Sequence, residues 1–312
     1  WEFDRANAAL VADYLRERHE RPFFLSFGLF STHRPYPRSD RDRSGVDYSR
    51  LPSEVPDAEE AHRDADRLCA SLRVVDEIVD GVVEGLKACE LWEESIVLLT
   101  TDHGPAFPRV KATLRDGGIG VSLVLRIPGE AGDGRIEPAL VSQIDLYPTL
   151  CDALGIVKPE RLSGKSLWRL LRGESDGVRR CLFAETNYHA VYEPARCVRT
   201  ERHKLIRNYG VPHPPRPANV DDSPVKDLYE QSGYFIRPLP VDELYDLQTD
   251  PREEHNLAGD RKYRREFIEL LELLESWMTR TDDPLLRGTV PMPDGARVNR
   301  EKAWSATEET YE

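Results

Sequence analysis

The sequence predicts an α/β protein in which helices flank a mixed sheet, followed by a smaller C-terminal α+β part built on an antiparallel sheet. Three observations predict it. Up to about residue 127, helix-like segments alternate with short apolar runs, the order expected of parallel strands joined by crossover helices. Near residue 175, strand-like runs begin to follow one another directly. An amphipathic helix over 261–279 then closes the second part, with Tyr263, Phe267, Leu270, Leu274 and Trp277 on one face. We therefore expect residues 1–174 to form the α/β part, 175–280 the antiparallel part with its terminal helix, and 281–312 an extended polar tail.

Taken in order, residues 4 to about 18 are helix-prone, with Arg and Glu on the polar face. F-F-L-S-F at 23–27 reads as a buried strand ending at Gly28. The loop S-T-H-R-P-Y-P-R-S-D that follows runs on through Leu51-Pro52 and Val55-Pro56, too rich in proline for regular structure. Residues 60–90 carry Leu68, Leu72, Val75, Val79, Val82 and Leu86 at steps of three and four, the apolar stripe of a long helix. Residues 96–99 are apolar, too few for a helix, and empty into a loop with Gly and Pro; they read as a fully buried strand. Residues 121–127 form another strand, stopped by Pro128-Gly129. Residues 140–143 are short and apolar, and Asp145 reads as the N-cap of a helix that reaches Leu154-Gly155. In the second part, 181–186, 195–200, 204–209 and 244–247 read as strands, and 210–240 as a Pro-rich loop.

Composition narrows the function classes. Hydrophobic residues make up 39% and charged residues 32% of the 312, which suits a globular chain with a core rather than a disordered one. The net charge of -13 argues against broad electrostatic binding to nucleic acid. No apolar run approaches the ~20 residues of a membrane span. The five cysteines are scattered, odd in number and without a C-x-x-C pair, so buried free thiols are expected rather than a disulfide framework or zinc site. The sequence starts without Met, without a signal-peptide pattern, and enters a helix at once; a truncated or processed chain is expected, with its compartment left open.

The chemistry-bearing stretch is S-I-V-L-L-T-T-D-H-G-P-A-F-P-R-V-K at 95–111. Open α/β sheets place ligands at the C-terminal ends of their strands, where Asp102 and His103 stand. A carboxylate suits a hard cation such as Ca2+ or Mg2+, and an imidazole suits softer metals or a substrate oxyanion. Alone, the dipeptide reads first as a capping aspartate beside a solvent-facing histidine; the strand before it and the glycine after it narrow that margin. Lys111 and Arg115 could hold an anionic group beside a metal, and a solvated loop charge is an equal reading for both. His33, after the 23–27 strand, falls on the same sheet edge and could act as a general acid, or be an exposed loop histidine. His189, with Glu185 and Tyr188, ends a strand and could reach a substrate. Ser163-Gly164-Lys165-Ser166 looks like the end of a phosphate-binding loop, but position 159 is Pro where that pattern needs Gly, so a turn is preferred.

Five segments in order carry a resemblance: R-P-F-F-L-S-F-G-L-F-S-T-H-R-P-Y, the 95–114 stretch, I-D-L-Y-P-T-L-C-D-A-L-G-I with L-S-G-K-S-L, R-C-V-R-T-E-R-H-K-L-I-R-N, and E-L-Y-D-L-Q-T-D-P-R-E-E-H-N-L. They span most of residues 20–260, and the chain resembles the type I sulfatases of the alkaline-phosphatase superfamily, in the branch related to heparan N-sulfatase (sulfamidase). The resemblance implies an alkaline-phosphatase-like fold and a formylglycine nucleophile attacking sulfur. It implies one divalent cation, Ca2+, on Asp102 and His103. It implies Lys111 on the sulfate group and His33 assisting the leaving group, with a sulfated small molecule or saccharide as substrate. The formylglycine motif C/S-x-P/A-x-R and the family's Asp-Asp metal pair are absent and are expected upstream, so the chain alone is expected to be inactive. His103 and Lys111 stand where sulfamidases tend to carry Asn and Arg, so both N-sulfate and O-sulfate substrates are open. The rival readings are a phosphomono- or phosphodiesterase of the same superfamily and a non-catalytic binding module on a degenerate sulfatase scaffold.

Overall fold

The structure is a computed structural model and describes residues 1–37, 55–129, 134–308 and 311. In chain order these residues form α1 (Glu2–Arg16), α2 (Glu59–Ala88), β1 (Val97–Thr100), α3 (Asp116–Ile119), β2 (Leu123–Arg126), α4 (Leu146–Ala153), α5 (Trp168–Leu171), β3 (Cys181–Tyr188), β4 (Tyr192–Thr200), β5 (His203–Asn208), α6 (Pro224–Gln231), β6 (Asp242–Asp246) and α7 (Arg264–Arg280). The part of the proline-rich loop that includes Leu51-Pro52 lies outside the described residues. No described helix is long and apolar enough to cross a membrane.

Contacts divide the chain into two compact units that do not follow the expected boundary at 174. The first gathers residues 1–111, 121–128 and 220–232; the second gathers 112–120, 129–219 and 233–312. The expected boundary marked where strand texture changes, and local texture carries no information about which segments return later in the chain.

In the first unit, α1 and α2 pack together through Val11, Leu15 and Leu86, with Phe23, Phe27, Val82 and Trp92 against them. The buried face of α2 is offset from the expected stripe. Ala61, Ala65, Ser71, Val74 and Ile78 are buried, whereas Leu72 is exposed. The small side chains on that face allow close approach, which large apolar residues would prevent. Residues 23–27 are extended but pair with no described strand; Phe23 and Phe27 turn inward while Phe24 and Leu25 are exposed. The first two strands pair antiparallel, from Val97 opposite Arg126 to Thr100 opposite Leu123, not in parallel. The intervening segment, which includes the single-turn α3, returns the chain in the opposite direction rather than crossing over. Nor is β1 fully buried: Leu99 and its register partner Val124 are both exposed, because a two-stranded ribbon covered on one side leaves the other open.

The second unit is built on one antiparallel sheet in the order β3-β4-β5-β6. Its strands fall where the sequence placed them, and β3 extends further, to Tyr188. One face of the sheet presents Val198, Leu205 and Leu244 to Phe267, Leu270, Leu274 and Met278 of α7. Trp277 stacks on Phe183 with ring centroids 5.1 Å apart. The opposite face buries Ala195, Cys197, Ile206 and Tyr245 with Leu114. The helix at 146 has Asp145 at its N-cap position as expected, but without a side-chain cap bond: a 3-10 turn over 143–145 precedes it, capped by Ser142, and the Asp145 carboxylate completes that capping box by accepting from Ser142 N–H. Asp145 and Thr149 also hold the S-G-K-S turn through the N–H groups of Lys165 and Leu167. Gly164 lies so close to this site that a Cβ would sit 1.8 Å from the Ile144 carbonyl oxygen.

Residues 281–308 are irregular but not a free tail. Asp283 pairs with Arg196, the Tyr192 hydroxyl accepts from Val290 N–H, and Asn299 N–H donates to the Ala190 carbonyl. All five cysteines are free thiols; Cys151 and Cys197 are buried as expected, whereas Cys69, Cys89 and Cys181 are only half-buried.

Candidate active site

Two loops of the first unit carry the expected residues. The first is the turn at 30–36. Its entry is fixed by Asp4 of α1, which the fold buries completely. One Asp4 oxygen accepts from the N–H groups of Phe30 and Ser31 and from the Ser31 hydroxyl, at 2.6 to 2.8 Å. Burial pushes this carboxyl up, but the Ser31 hydroxyl and the two amides outweigh it and hold it below its ordinary value. His33 N–H then closes a turn onto the Phe30 carbonyl, and the imidazole stands exposed. Its Nδ1 lies 2.7 Å from the Arg34 carbonyl. A carbonyl only accepts, so Nδ1 carries the proton and Nε2 points its lone pair, or a second proton, away from the backbone.

Arg34 turns the other way, into the protein. Its guanidinium grips Asp64 of α2 with both terminal nitrogens, at 2.9 and 2.5 Å, and its Nε donates to the Ala106 carbonyl at 3.0 Å. Tyr36 and Phe107 flank it, with ring centroids 4.3 and 5.4 Å from the guanidinium carbon. Burial pushes the Tyr36 phenol up to about 12. No sequence signal singled out Arg34, Asp64 or Tyr36.

The second loop leaves β1 at Asp102. The Asp102 side chain is 88% exposed and accepts from His103 N–H at 3.0 Å. His103 Nδ1 lies 2.6 Å from the Gly104 carbonyl, which again fixes the proton on Nδ1 and leaves the Nε2 lone pair free. That Nε2 is 3.6 Å from Asp102 Oδ2. Two donors at that spacing can share one cation with bonds of about 2.1 to 2.5 Å, so the pair fits a divalent ion as part of a shell. Among the described residues, no third His, Cys, Asp or Glu joins them; the one group of three is Asp250, Glu254 and His255 in the second unit.

Beyond His103 the loop dives inward. Phe107 and Val110 are buried against Ala61 of α2 and Val225 of α6. Arg109 and Ala112 both adopt left-handed backbone, at φ 63° and 62°, on either side of Lys111. Such strain in residues other than glycine persists where surrounding packing imposes it, and it collects at functional loops. Lys111 is 9% exposed, with its ammonium 3.0 Å from Asp221. Asp221 is supplied from the start of α6, inside the segment expected to be a Pro-rich loop. The signal was legible there: Ser223 caps the helix by accepting from Lys226 N–H, and Pro224 occupies its first turn.

Arg115 and His189 belong to the second unit. Arg115 is taken up by partners within the second unit. Its guanidinium pairs with Glu243 and donates to the Tyr245 hydroxyl at 2.8 Å and the Glu253 carbonyl at 2.6 Å. Burial opposes its charge and Glu243 more than restores it, so its pKa lies above the ordinary value. His189 is exposed in the turn between β3 and β4, with its N–H on the Val191 carbonyl.

The family model for sulfatases matches residues 2–156, and the model for the C-terminal part of N-sulphoglucosamine sulphohydrolase matches 110–234. The two models together match residues 2–234, and the chain belongs to the sulfatase family, with a stretch similar to the sulfamidase C-terminal part. It is 26% identical over 276 residues to an ulvan-active sulfatase of Formosa agariphila, covering 82% of this chain and 44% of that protein. It is 26% identical to human N-sulphoglucosamine sulphohydrolase, covering 92% of this chain and 65% of that one. A solved Bacteroides thetaiotaomicron structure assigned as a sulfatase superposes with a TM-score of 0.68 at 21% identity, over 98% of this chain and 70% of that one. The fold is thus the sulfatase fold, as the resemblance to alkaline-phosphatase-like proteins required. The chain spans less than half the length of the first curated relatives it matches.

Proposed function

We propose that the whole protein is a hydrolase of sulfated saccharides, acting on a sulfate ester or a sulfamate. The observation that carries this reading is the 102–111 loop. An exposed carboxylate and an imidazole with a free Nε2 converge within 3.6 Å, and a buried, strained turn at its far end holds Lys111.

Asp102 and His103 would hold the divalent cation, with Ca2+ favoured by the carboxylate oxygen. When bound, such an ion supplies positive charge against the sulfate oxygens. The residues of this chain do the rest. Lys111 places an ammonium for the anionic group, and Asp221 keeps that ammonium in one position. His33, with Nδ1 fixed as donor to the Arg34 carbonyl, can carry a proton on Nε2 and deliver it to the departing oxygen or nitrogen. The attacking nucleophile is a formylglycine in this reading, and none of the five cysteines lies in the C-x-P/A-x-R context that would generate it. It would therefore be supplied from outside these 312 residues.

Sulfate release from N-sulfo and O-sulfo glucosamine by the full-length protein, with Ca2+ and after chelation, tests this. Turnover that is lost on chelation and in Asp102→Ala and Lys111→Ala supports it. Hydrolysis of phosphate but not sulfate esters would replace it with the phosphoesterase reading.

A further inference from the structure

Arg34 lies in the His33 turn itself, yet it also touches the other arm. It directly follows His33, and its Nε reaches across to the Ala106 carbonyl, three residues beyond His103. The two remaining nitrogens of its fork are fixed on Asp64 of α2, which is almost fully buried. Three segments far apart in sequence, around 34, 64 and 106, are thus held by one planar group between two aromatic rings. A buried ion pair is weak evidence for stability alone, since apolar replacements often serve as well. A fork with donors on two separate segments does what an apolar side chain cannot: it fixes their distance and angle.

We propose that Arg34 is a positioning residue that couples the His33 turn to the Asp102–His103 loop, using α2 as the rigid support. The functional part of this claim rests on the sulfatase reading above. The coupling itself rests on geometry alone. Lysine cannot replace this residue, because one ammonium cannot serve Asp64 and the Ala106 carbonyl in the same planar arrangement.

Hydrogen exchange on the full-length protein decides the coupling. In Arg34→Ala, the amides of Phe30, Ser31 and His33 and those of His103, Phe107 and Val110 should exchange faster together, by about tenfold, while α7 is unchanged. Arg34→Lys should recover little of the protection, and low-millimolar guanidinium added to Arg34→Ala should restore it in both segments. Arg5→Ala, which removes an exposed pair with Glu77, is the control that should leave both segments as they were. Acceleration of only one segment, or of α7 as well, overturns the proposal, as does failure of guanidinium to act. In the full-length protein, a shift of about 1 Å between the arms should cost about 100-fold in kcat with a smaller change in KM, again recovered by guanidinium. If exchange behaves as stated but the unaltered protein releases no sulfate, the sulfatase reading fails and the coupling stands.

Discussion

Asp283→Ala should be among the most damaging single substitutions in the second unit. Arg196 lies in β4 with no exposed surface, and Asp283 is buried with it. Nε and Nη2 of Arg196 meet the two carboxylate oxygens at 2.6 and 2.9 Å, while Nη1 donates to the carbonyls of Thr186 and Ala195. Removing Asp283 leaves a buried guanidinium with two neutral acceptors and Glu185, half-exposed, at 3.4 Å. Breaking such a pair costs about 3 to 5 kcal/mol, and partial compensation by Glu185 puts this case at the lower end. Asp283 also accepts from Leu285 N–H at the start of the next turn, a cap worth about 1 kcal/mol. The expected loss is therefore about 4 kcal/mol. Urea unfolding followed by tryptophan fluorescence measures it, because Trp277 stacks on Phe183 in this unit. The double replacement Arg196→Met with Asp283→Leu should come within about 1 kcal/mol of the original chain, since no buried charge is left alone. A loss below about 1 kcal/mol for Asp283→Ala, or additive single and double effects, would refute this account of the pair.

Gly164→Ala forces a Cβ into the Ile144 carbonyl at 1.8 Å, where only backbone can give way; a loss of about 3 kcal/mol, read from the same urea midpoint, is expected. Lys204→Met should lower stability by about 3 kcal/mol, because Lys204 is fully buried between Asp116 at 2.5 Å and Glu253 at 3.1 Å. The pH dependence should have two limbs. Burial pushes Asp116 and Asp283 up, but the Lys204 ammonium and the Arg199 and Arg196 guanidinium groups outweigh it and hold both below the free value of 3.8. Their contribution is present above that value and is lost as pH falls through their lower folded values. Glu193 and Glu253 are raised by burial above the free value of 4.5, so protonating them favours the fold, and that contribution is lost as pH rises through their folded values. Urea midpoints should rise as the pH is lowered through the raised folded values towards 4.5 and fall below 3.8; a monotonic rise down to pH 3 would contradict the assignment. In Lys204→Met the acid fall should begin at higher pH, since the cation holding Asp116 down is gone.

Periodicity in a sequence reports where apolar side chains are buried, and it located the four-stranded sheet of the second unit and its covering helix well. Its strands β3 to β6 and helix α7 bury apolar residues on the faces that the sequence pattern marks. The same reasoning overstated β1, because an apolar run of four reads alike whether one face is covered or two. It also offset the buried face of α2, where Ala and Ser rather than Leu make the close contacts. The candidate site was legible only in part. Asp102, His103, Lys111 and His33 stand in order after recognisable strand-like runs, but what holds them does not. Asp4, Asp64, Arg34 and Asp221 are charged residues that a hydropathy pattern assigns to the solvent, and their partners lie 26, 30, 72 and 110 residues away. A loop that must present an exposed imidazole or carboxylate cannot be anchored by burying those same side chains. It has to be anchored by its backbone N–H and C=O groups, and buried ionised groups make the strongest hydrogen bonds to them. Charges on the buried side of α1 and α2 are therefore the physical counterpart of the exposed site residues, and Asp4 and Asp64 stand where the two loops need them.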